Sequence, residues 1–388
     1  MTQLSNSSVA NAKLQNLLFV SPAVPAISGH GTSMRIAAVL EAFSKRYSVY
    51  MLLVNLFRKR QFNNDMSVIE RCCRSYCIVD PHLQLAGNDY PFKSLQFDAI
   101  HVCRLSAIRF AAPYLRDSPQ ALKTLDCDDY ESQTRTQFAA HALSQREYTM
   151  ANLNKDASTT FWDIESEVIP RFNHIYLSND ADRKELATRF GSATVSILPN
   201  CVFVDRISTM QCASPSEATL LFVGTMDYYP NVDGILYFCE HILPEIRQRF
   251  NGKQLRLRVV GARPEQAVLN LAKEPDIEVT GEVVSLDPYY NSSDVVIAPL
   301  RIGGGTRMKI LEAFAYSKAT ISTTVACSGL DVRDGDQLLI ENSPQHFARS
   351  CVKLLEDLDR RKELGLRARR WVKDHHDVSV LESYLFDQ

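Results

Sequence analysis

The chain has 388 residues, of which 45% are hydrophobic, and its 43 Lys and Arg residues nearly balance 45 Asp and Glu residues. This length and hydrophobic content suffice for two domains with cores of ordinary size. The balanced charge argues against a strongly basic, nucleic-acid-binding protein, so we expect other partners.

The cysteines and the N-terminal segment bear on the cellular compartment. The ten cysteines are scattered and lack the close pairs of a zinc site or a disulfide framework, so reduced thiols are expected. Residues 1–13 are polar and contain no apolar signal-peptide core. No apolar run approaches the roughly 20 residues of a membrane span. The predicted location is the cytoplasm, with the inner face of the membrane as an alternative site of peripheral contact.

The first half of the chain alternates short apolar strands with helical patterns. Residues 17–20 are predicted as a strand, and residues 32–45 as a helix whose apolar positions recur at three- and four-residue spacing. Further strands are predicted at residues 49–54, 99–102, 124–125, 174–177 and 195–198, and a helix capped by Asn179 or Asp180 precedes the last of these. This alternation predicts a parallel α/β sheet.

An irregular segment at residues 199–218 interrupts the pattern, which then restarts. Strands are predicted at residues 220–223, 257–260, 277–280, 295–298 and 320–322, and helices at 232–249, 308–316 and 360–375. We predict an N-terminal Rossmann-like domain at residues 1–205 and a second at residues 206–365. The C-terminal helix and tail, residues 366–388, follow the second domain. One arrangement that the sequence allows is that they pack back on the first domain.

Residues 298–315, APLRIGGGTRMKILEAFA, form the segment with the strongest chemical signal. Gly303–Gly305 follow a strand and precede a helix, so backbone N–H groups and the helix N-terminus favour a bound anion. Arg307 and Lys309 add positive charge, which predicts a diphosphate site. Glu312 is placed to accept hydrogen bonds from ribose hydroxyls. The alternative is a glycine turn with surface charges and a solvated glutamate.

A second glycine loop follows the first predicted strand. Gly29 and Gly31 join the end of this strand to the start of a helix, although the remaining spacing of a dinucleotide fingerprint is absent. Arg35 lies about one turn into that helix and is expected to face a cleft. The alternative is a flexible connector in which Thr32 caps the helix.

Several motifs occur in the order and spacing of glycosyltransferase family 4. They are LFVGTM at residues 221–226, Pro230-Asn231, Val260-Gly261, Thr280-Gly281 and the segment 298–315. The chain most resembles the exopolysaccharide-associated sugar transferases of that family, specifically over about residues 218–370 and more loosely before. The resemblance implies a GT-B fold, with two Rossmann-like doubly wound domains facing a central cleft, and retaining transfer from a nucleotide-sugar donor. It implies no obligatory metal or other cofactor.

The resemblance also assigns candidate site residues. Those expected to bind the donor are Gly29, Gly31, Gly224, Gly303, Gly304, Gly305, Thr306, Arg307, Lys309 and Glu312. Those expected to act in catalysis are His101, Arg104 and Arg35. His101 matches the first residue of the family's His-x-His pair, where Cys103 replaces the second, so Arg104 is the alternative cleft residue.

The sequence departs from the family in two further places. Gly304 stands where many members carry a glutamate that contacts the donor sugar. The stretch 224–229 lacks the basic pair found after the corresponding strand in many members. Arg307 and Lys309 are therefore expected to supply the phosphate charge.

The aspartates of residues 126–129, Asp-Cys-Asp-Asp, allow three interpretations. They form a metal-binding Asp-x-Asp motif, they cap a loop and a helix, or one carboxylate orients the acceptor or pairs with Arg104. We favour capping and predict no metal site, because these residues are distant in sequence from the second glycine segment.

The resulting hypothesis is a transferase that uses a nucleotide-sugar donor and a glycan, lipid-linked or small-molecule acceptor. The leaving phosphate oxygen would take the acceptor proton, since no protein nucleophile is apparent. Two alternatives remain at this point: a nucleotide-sugar epimerase of the same fold, and a non-catalytic protein that binds a sugar nucleotide or a glycan.

Overall fold

Two parallel β-sheets form the framework of the chain. The computed structural model describes residues 14–54, 56, 65–82, 90–191, 193–209, 216–305 and 308–387. The strands of the first sheet are β1 (Gln15–Ser21), β2 (Tyr47–Leu53), β3 (Ser75–Ile78), β4 (Ala99–Cys103), β5 (Leu122–Asp128), β6 (His174–Leu177) and β7 (Thr194–Ile197). Those of the second sheet are β8 (Glu217–Val223), β9 (Gln254–Val260), β10 (Ile277–Gly281), β11 (Val295–Ala298), β12 (Ala319–Ser322) and β13 (Leu339–Ile340).

Helices connect these strands. In the N-terminal half they are α1 (Gly31–Ser44), α2 (Ser67–Cys72), α3 (Ile108–Asp117), α4 (Glu131–Ser144), α5 (Tyr148–Val168) and α6 (Asp180–Arg189). In the C-terminal half they are α7 (Tyr229–Tyr237), α8 (Leu243–Arg249), α9 (Gln266–Asn270), α10 (Asp287–Ser292), α11 (Met308–Ala315), α12 (Pro344–Glu356), α13 (Leu358–His376) and α14 (Leu381–Phe386). Within the described residues, no helix is both long and apolar enough to traverse a bilayer.

Both sheets have the doubly wound strand order. Among the described residues the order is β3-β2-β1-β4-β5-β6-β7 in the first sheet and β10-β9-β8-β11-β12-β13 in the second, with parallel pairing throughout. The direction in which successive strands are added across the sheet therefore reverses between β1 and β4 and again between β8 and β11. Ligands of such sheets bind outside the carboxyl ends of the strands at these switch points, so the loops after these four strands are the first places to look for a site.

The central strands are buried on both faces because helices cover both sides of each sheet. Separate apolar clusters fill the two faces of the first sheet: Leu18 and Ile100 belong to one, and Phe19 and Met51 to the other. In the second sheet, a large cluster that includes Phe222 packs against helices α11 to α13.

The chain returns to the N-terminal domain at its C-terminal end. The Val202 N–H donates to the carbonyl of His376 at 2.8 Å, which ties the segment after β7 to the end of α13. Helix α14 then packs on α1, where the Phe386 and Phe43 ring centroids lie 5.7 Å apart. Residues 202 and 376–378 thus form the crossing between the domains.

The predicted fold class is confirmed, as are the strands at residues 174–177 and 295–298. The helix predicted at residues 232–249 lies within a continuous helical stretch over residues 229–249, in which a π-helical turn at Phe238–Ile242 joins α7 to α8. Pro244 stands in the first turn of α8, where its lack of an N–H donor is tolerated. Strand β3 and helices α3, α4 and α5 were not predicted.

Candidate active site

The second glycine loop leads from β11 to α11, as predicted. Gly303 and Gly305 adopt φ angles of 147° and 67°, a region that favours glycine. Thr306 and Arg307, both predicted to bind the donor, lie outside the described residues. The described part of the loop and the start of α11 face the cleft between the two domains.

Lys309 lies in the first turn of α11 and is held by residues of α7 and β8. Its Nζ donates to the Asn231 Oδ1 at 2.7 Å and lies 4.2 Å from the centroid of the Phe222 ring. A Cβ on Gly224 would lie 3.0 Å from this Nζ and 2.6 Å from the Asn231 Nδ2. Gly224 is therefore required for the close packing that fixes the lysine.

Glu312 lies one turn further along α11, within the same cavity wall. Burial raises its pKa to about 8, against the lowering effects of the Gly29 N–H and the charge of Lys309. Its Oε1 atom is buried and has no hydrogen-bond partner among the described residues. A ligand hydroxyl would supply the missing donor and thereby favour the charged carboxylate.

The first glycine loop meets the same helix from the opposite domain. Gly29 has a φ of 100°, and a Cβ on Gly31 would lie 3.1 Å from the Cγ of Met308. Both glycines line a cavity of about 830 Å³ together with Gly224, Lys309 and Glu312. The structure thus brings the two glycine loops to one cleft.

Close approach of the domains gives the second glycine loop an additional reason to lack side chains. A Cβ on Gly304 would lie 2.6 Å from the Oγ1 of Thr134, a residue of α4 in the N-terminal domain. A Cβ on Gly305 would collide with the Asp129 carboxylate. Glycine at both positions therefore lets the loop pack against the other domain, as well as against a ligand.

Arg35 lies inside the N-terminal domain instead of in the cleft where it was expected. Its guanidinium donates to Asp126 at 2.7 and 2.8 Å, to the carbonyl of Leu198 at 2.9 Å and to the Asn200 Oδ1 at 2.9 Å. Only 2% of the residue is exposed. The physical reason is the buried Asp126 carboxylate at the end of β5, which needs a paired cation.

His101 also lies away from the cleft, in the layer between the sheet and α1. Its ring centroid is 5.1 Å from that of Phe19 and 4.8 Å from that of Phe43, and its Nδ1 contacts the Thr124 Oγ1 at 2.8 Å. Burial lowers its pKa to about 4, against the raising effect of Asp126. The imidazole is therefore neutral and packed as a core residue.

His101, Cys103 and Asp126 come close enough to share a cation, with candidate ligand atoms within 4.8 Å of one another. The Asp126 carboxylate already accepts hydrogen bonds from Arg35 through both oxygens. A metal ion there would have to displace a bound guanidinium, so this cluster fits a buried ion pair better than a metal site.

Arg104 does line the cavity, at the loop after β4. It pairs with Asp128 and contacts the Asp129 Oδ2 at 3.4 Å and the Cys127 carbonyl at 3.2 Å. Burial alone would raise the pKa of Asp128, but Arg104 and Arg35 lower it below its ordinary value. Asp128 is thus paired with Arg104, which was one of the three interpretations, whereas the pairing of Asp126 with Arg35 was not predicted.

Sequence reasoning missed the cleft wall supplied by helix α4. Glu131, Thr134, Arg135 and Phe138 all line the cavity. They recur at three- and four-residue spacing on one helical face, a signal that was overlooked because α4 itself was not predicted. Asn231 was noted in a motif, but its role as the partner of Lys309 was not foreseen.

Residues 217–357 match the family model "Glycosyl transferases group 1". A 44.6 kDa protein of the cps region of Klebsiella pneumoniae is 22% identical over 184 residues, which cover 44% of this chain and 46% of that protein. A D-inositol 3-phosphate glycosyltransferase of Kineococcus radiotolerans is 25% identical over 243 residues, 53% of this chain and 54% of that protein. The chain thus spans about half the length of these relatives.

Solved structures resemble the chain over nearly its whole length. Sucrose-phosphate synthase from Thermosynechococcus elongatus superposes with a TM-score of 0.68 at 16% identity and covers 96% of this chain and 98% of that one. HepE from Anabaena, in complex with UDP and glucose, gives a TM-score of 0.66 at 12% identity with the same coverage. Residues 217–357 thus match the group 1 glycosyltransferases, in agreement with the predicted resemblance to glycosyltransferase family 4, and the likeness to these solved structures shows that the chain has the GT-B fold.

Proposed function

We propose that this chain is a retaining glycosyltransferase that moves a sugar from a nucleotide-sugar donor to a glycan, lipid-linked or small-molecule acceptor. The observation that carries the proposal is the cavity between the domains. Lys309, Glu312 and Gly304 line it from one side, and Gly29 and Gly31 from the other. Its volume of about 830 Å³ lies within the range of small-molecule sites.

The donor diphosphate would lie at the N-terminus of α11. The glycine loop lets backbone N–H groups approach the phosphates, the helix terminus favours negative charge, and Lys309 adds a full positive charge. Thr306 and Arg307 belong to this proposal on sequence grounds alone. In a closed cleft, these fixed charges stabilise the diphosphate as it leaves.

Glu312 would bind the ribose. Its carboxylate accepts hydrogen bonds from vicinal hydroxyls once it has lost its proton, and its buried Oε1 has no protein donor within the described residues. Nucleotide binding would therefore be coupled to proton release from this residue.

The transfer step would use the leaving group as its base. The acceptor hydroxyl attacks the anomeric carbon from the face that the diphosphate leaves, so configuration is retained. The bond from that carbon to the phosphate oxygen breaks, the new glycosidic bond forms, and the phosphate oxygen takes the acceptor proton. Arg104 is the cationic side chain we assign to the N-terminal face of this step, whereas Arg35 and His101 support the fold around it.

UDP-sugars are the first donors to try, because HepE has been crystallised with UDP-glucose. The relative from a cps region favours a role in polysaccharide synthesis. The cytoplasm or the inner face of its membrane is the location that such a donor and a lipid-linked acceptor would require. We propose no nucleic-acid partner and no required metal.

A panel of nucleotide-sugars tests the proposal. Thermal shift identifies the donor, and its slow hydrolysis without acceptor demonstrates bond cleavage at the anomeric carbon. Addition of a mixed pool of glycan and lipid-linked acceptors should give a product with the donor's anomeric configuration by NMR. Interconversion of the donor sugar without acceptor would instead indicate an epimerase, and binding without any turnover would indicate a binding protein.

A further inference from the structure

Helix α4 of the N-terminal domain is docked on the start of α7 in the C-terminal domain. The His141 Nε2 lies 3.2 Å from the Asp233 Oδ1, and the Tyr229 hydroxyl donates to the Glu147 Oε2 at 2.8 Å. The Phe138 ring packs edge-on against the ring of Tyr228 at 5.9 Å. We call the polar residues of this contact the interdomain clamp: His141, Gln145 and Glu147 on one side, and Tyr229, Asp233 and Arg301 on the other.

Asp233 is the centre of the interdomain clamp. Its side chain is only 3% exposed, and Arg301 of the same domain donates to its Oδ2 at 3.0 Å. Arg301 also donates across the cleft to the Gln145 Oε1 at 3.2 Å. The Asp233–Arg301 pair neutralises itself within one domain, so it remains satisfied if the domains separate, while His141 and Gln145 make contacts that only a closed cleft allows.

Helix α7 connects the interdomain clamp to the donor site. Asn231 lies two residues before Asp233 and accepts the hydrogen bond from Lys309 while donating to the Thr225 carbonyl at 2.9 Å. Helix α4 also meets the glycine loop directly, since Thr134 occupies the space beside Gly304. One helix of the N-terminal domain therefore contacts both C-terminal elements that carry the donor-binding groups.

We propose that α4 positions the donor site: the interdomain clamp holds α7 and the glycine loop in the arrangement that aims Lys309 at the donor diphosphate. This rests on the proposed function. His141 and Glu147 are positioning residues, because they act through Asp233, Tyr229 and Asn231 and touch no substrate. Affinity for the donor falls in proportion to the closed fraction, so weakening the clamp lowers affinity without changing any phosphate contact.

The experiment compares the double variant His141→Ala/Glu147→Gln with the wild-type chain. Small-angle scattering measures the radius of gyration, and calorimetry measures the affinity for UDP. We expect a larger radius of gyration and an affinity about tenfold lower, the effect of losing one to two ordinary hydrogen bonds. The control is Glu167→Gln on α5, whose exposed pair with Arg171 lies within one domain.

A conservative variant separates positioning from simple loss of stability. His141→Gln keeps an amide donor and should restore most of the affinity, whereas Tyr229→Phe loses only one hydroxyl and tests the contact if the double variant does not fold. A folded double variant with unchanged radius and unchanged affinity overturns the proposal. If the wild-type chain binds neither UDP nor any other nucleotide, the proposed function fails. The scattering comparison alone then tests whether the interdomain clamp holds the domains together, and an unchanged radius of gyration in the double variant overturns that proposal.

Discussion

The two glycine loops of the molecule look alike in sequence but differ in chemistry. Each follows a strand at a switch point, and each precedes a helix with a basic residue in its first two turns, Arg35 in α1 and Lys309 in α11. Arg35 is enclosed by carboxylate, carbonyl and amide oxygens of its own domain. Lys309 is oriented by the neutral amide of Asn231 and the ring of Phe222.

The difference shows that the surroundings of a basic residue decide its role. A guanidinium paired with a buried carboxylate contributes no net charge to a ligand, and separating the pair exposes an uncompensated charge. An ammonium held by a neutral amide keeps its charge for a nearby anion. The N-terminal loop therefore rests on a structural ion pair, and the C-terminal loop is the one that we propose carries the binding charge.

Loss of Arg35 tests this comparison with the largest expected effect. Arg35→Ala leaves the Asp126 carboxylate buried without its cation and should cost about 3–5 kcal/mol of unfolding free energy. Urea denaturation followed by circular dichroism measures this cost. The control is Arg71→Ala, because the Arg71 side chain is half exposed in its pair with Glu41, and such a pair should contribute no more than about 1 kcal/mol.

A double substitution sharpens the same prediction. Arg35→Met/Asp126→Leu removes both partners and should be less damaging than Arg35→Ala, because no buried charge remains unpaired. If Arg35→Ala leaves the unfolding free energy unchanged and lowers turnover, Arg35 faces the substrate after all.

Loss of Lys309 should reduce nucleotide affinity while leaving the fold intact. Lys309→Ala is expected to weaken UDP or UDP-sugar binding by about 1.5–3 kcal/mol, the range for a hydrogen bond to a charged group. Calorimetry measures the affinity. Lys253→Ala, an exposed lysine of the same domain, serves as the control. Equal affinities for both variants and the wild-type chain would show that the diphosphate does not bind at the start of α11.

Signals that are local in the sequence predicted part of this site, and long-range contacts determine the rest. Apolar strands and the GGG segment predicted both sheets and the loop from β11 to α11, because these signals depend on neighbours in sequence. The pairing of Arg35 with Asp126 joins residues 91 positions apart, so no local pattern reveals it. His101 was misplaced for the same reason: a histidine at a strand end faces either the cleft or a helix, and only packing against Phe19 and Phe43 decides.

The sequence likewise gave no sign that residues 304 and 305 must be glycine because the other domain packs against them. Thr134 approaches these positions from a helix that was not predicted, and Asp129 approaches them from a loop that was expected to lie far from the glycine segment. A glycine run indicates close approach of some group, but the identity of that group comes from the tertiary structure.

Substitution of Glu312 should have a smaller effect on the free energy of unfolding, and this effect depends on pH. Burial raises its pKa from 4.5 to about 8, so the folded protein without ligand keeps a proton that the unfolded chain releases. The stability contributed by this proton is complete below pH 4.5 and is lost as the pH rises through 8. Glu312→Gln removes the titration and should gain at least about 1 kcal/mol relative to the wild-type chain between pH 5 and pH 8. Denaturation curves of both proteins at the two pH values measure this; parallel stabilities would show that Glu312 does not keep its proton.

Chelation of metals should have the smallest effect, with transfer activity unchanged in EDTA. The aspartates at the end of β5 are the carboxylates best suited to a donor-bound metal, yet Asp126 is paired with Arg35 and Asp128 with Arg104. A divalent cation at either carboxylate would have to displace a guanidinium, whereas in the proposed site Lys309 and the start of α11 supply the positive charge for the diphosphate. Donor hydrolysis measured with EDTA, and again after addition of Mn²⁺ or Mg²⁺, checks this directly. If activity is lost on chelation and restored by either metal, a metal ion held by the N-terminal aspartates supplies positive charge for the diphosphate. The contrast between the two glycine loops would then fail.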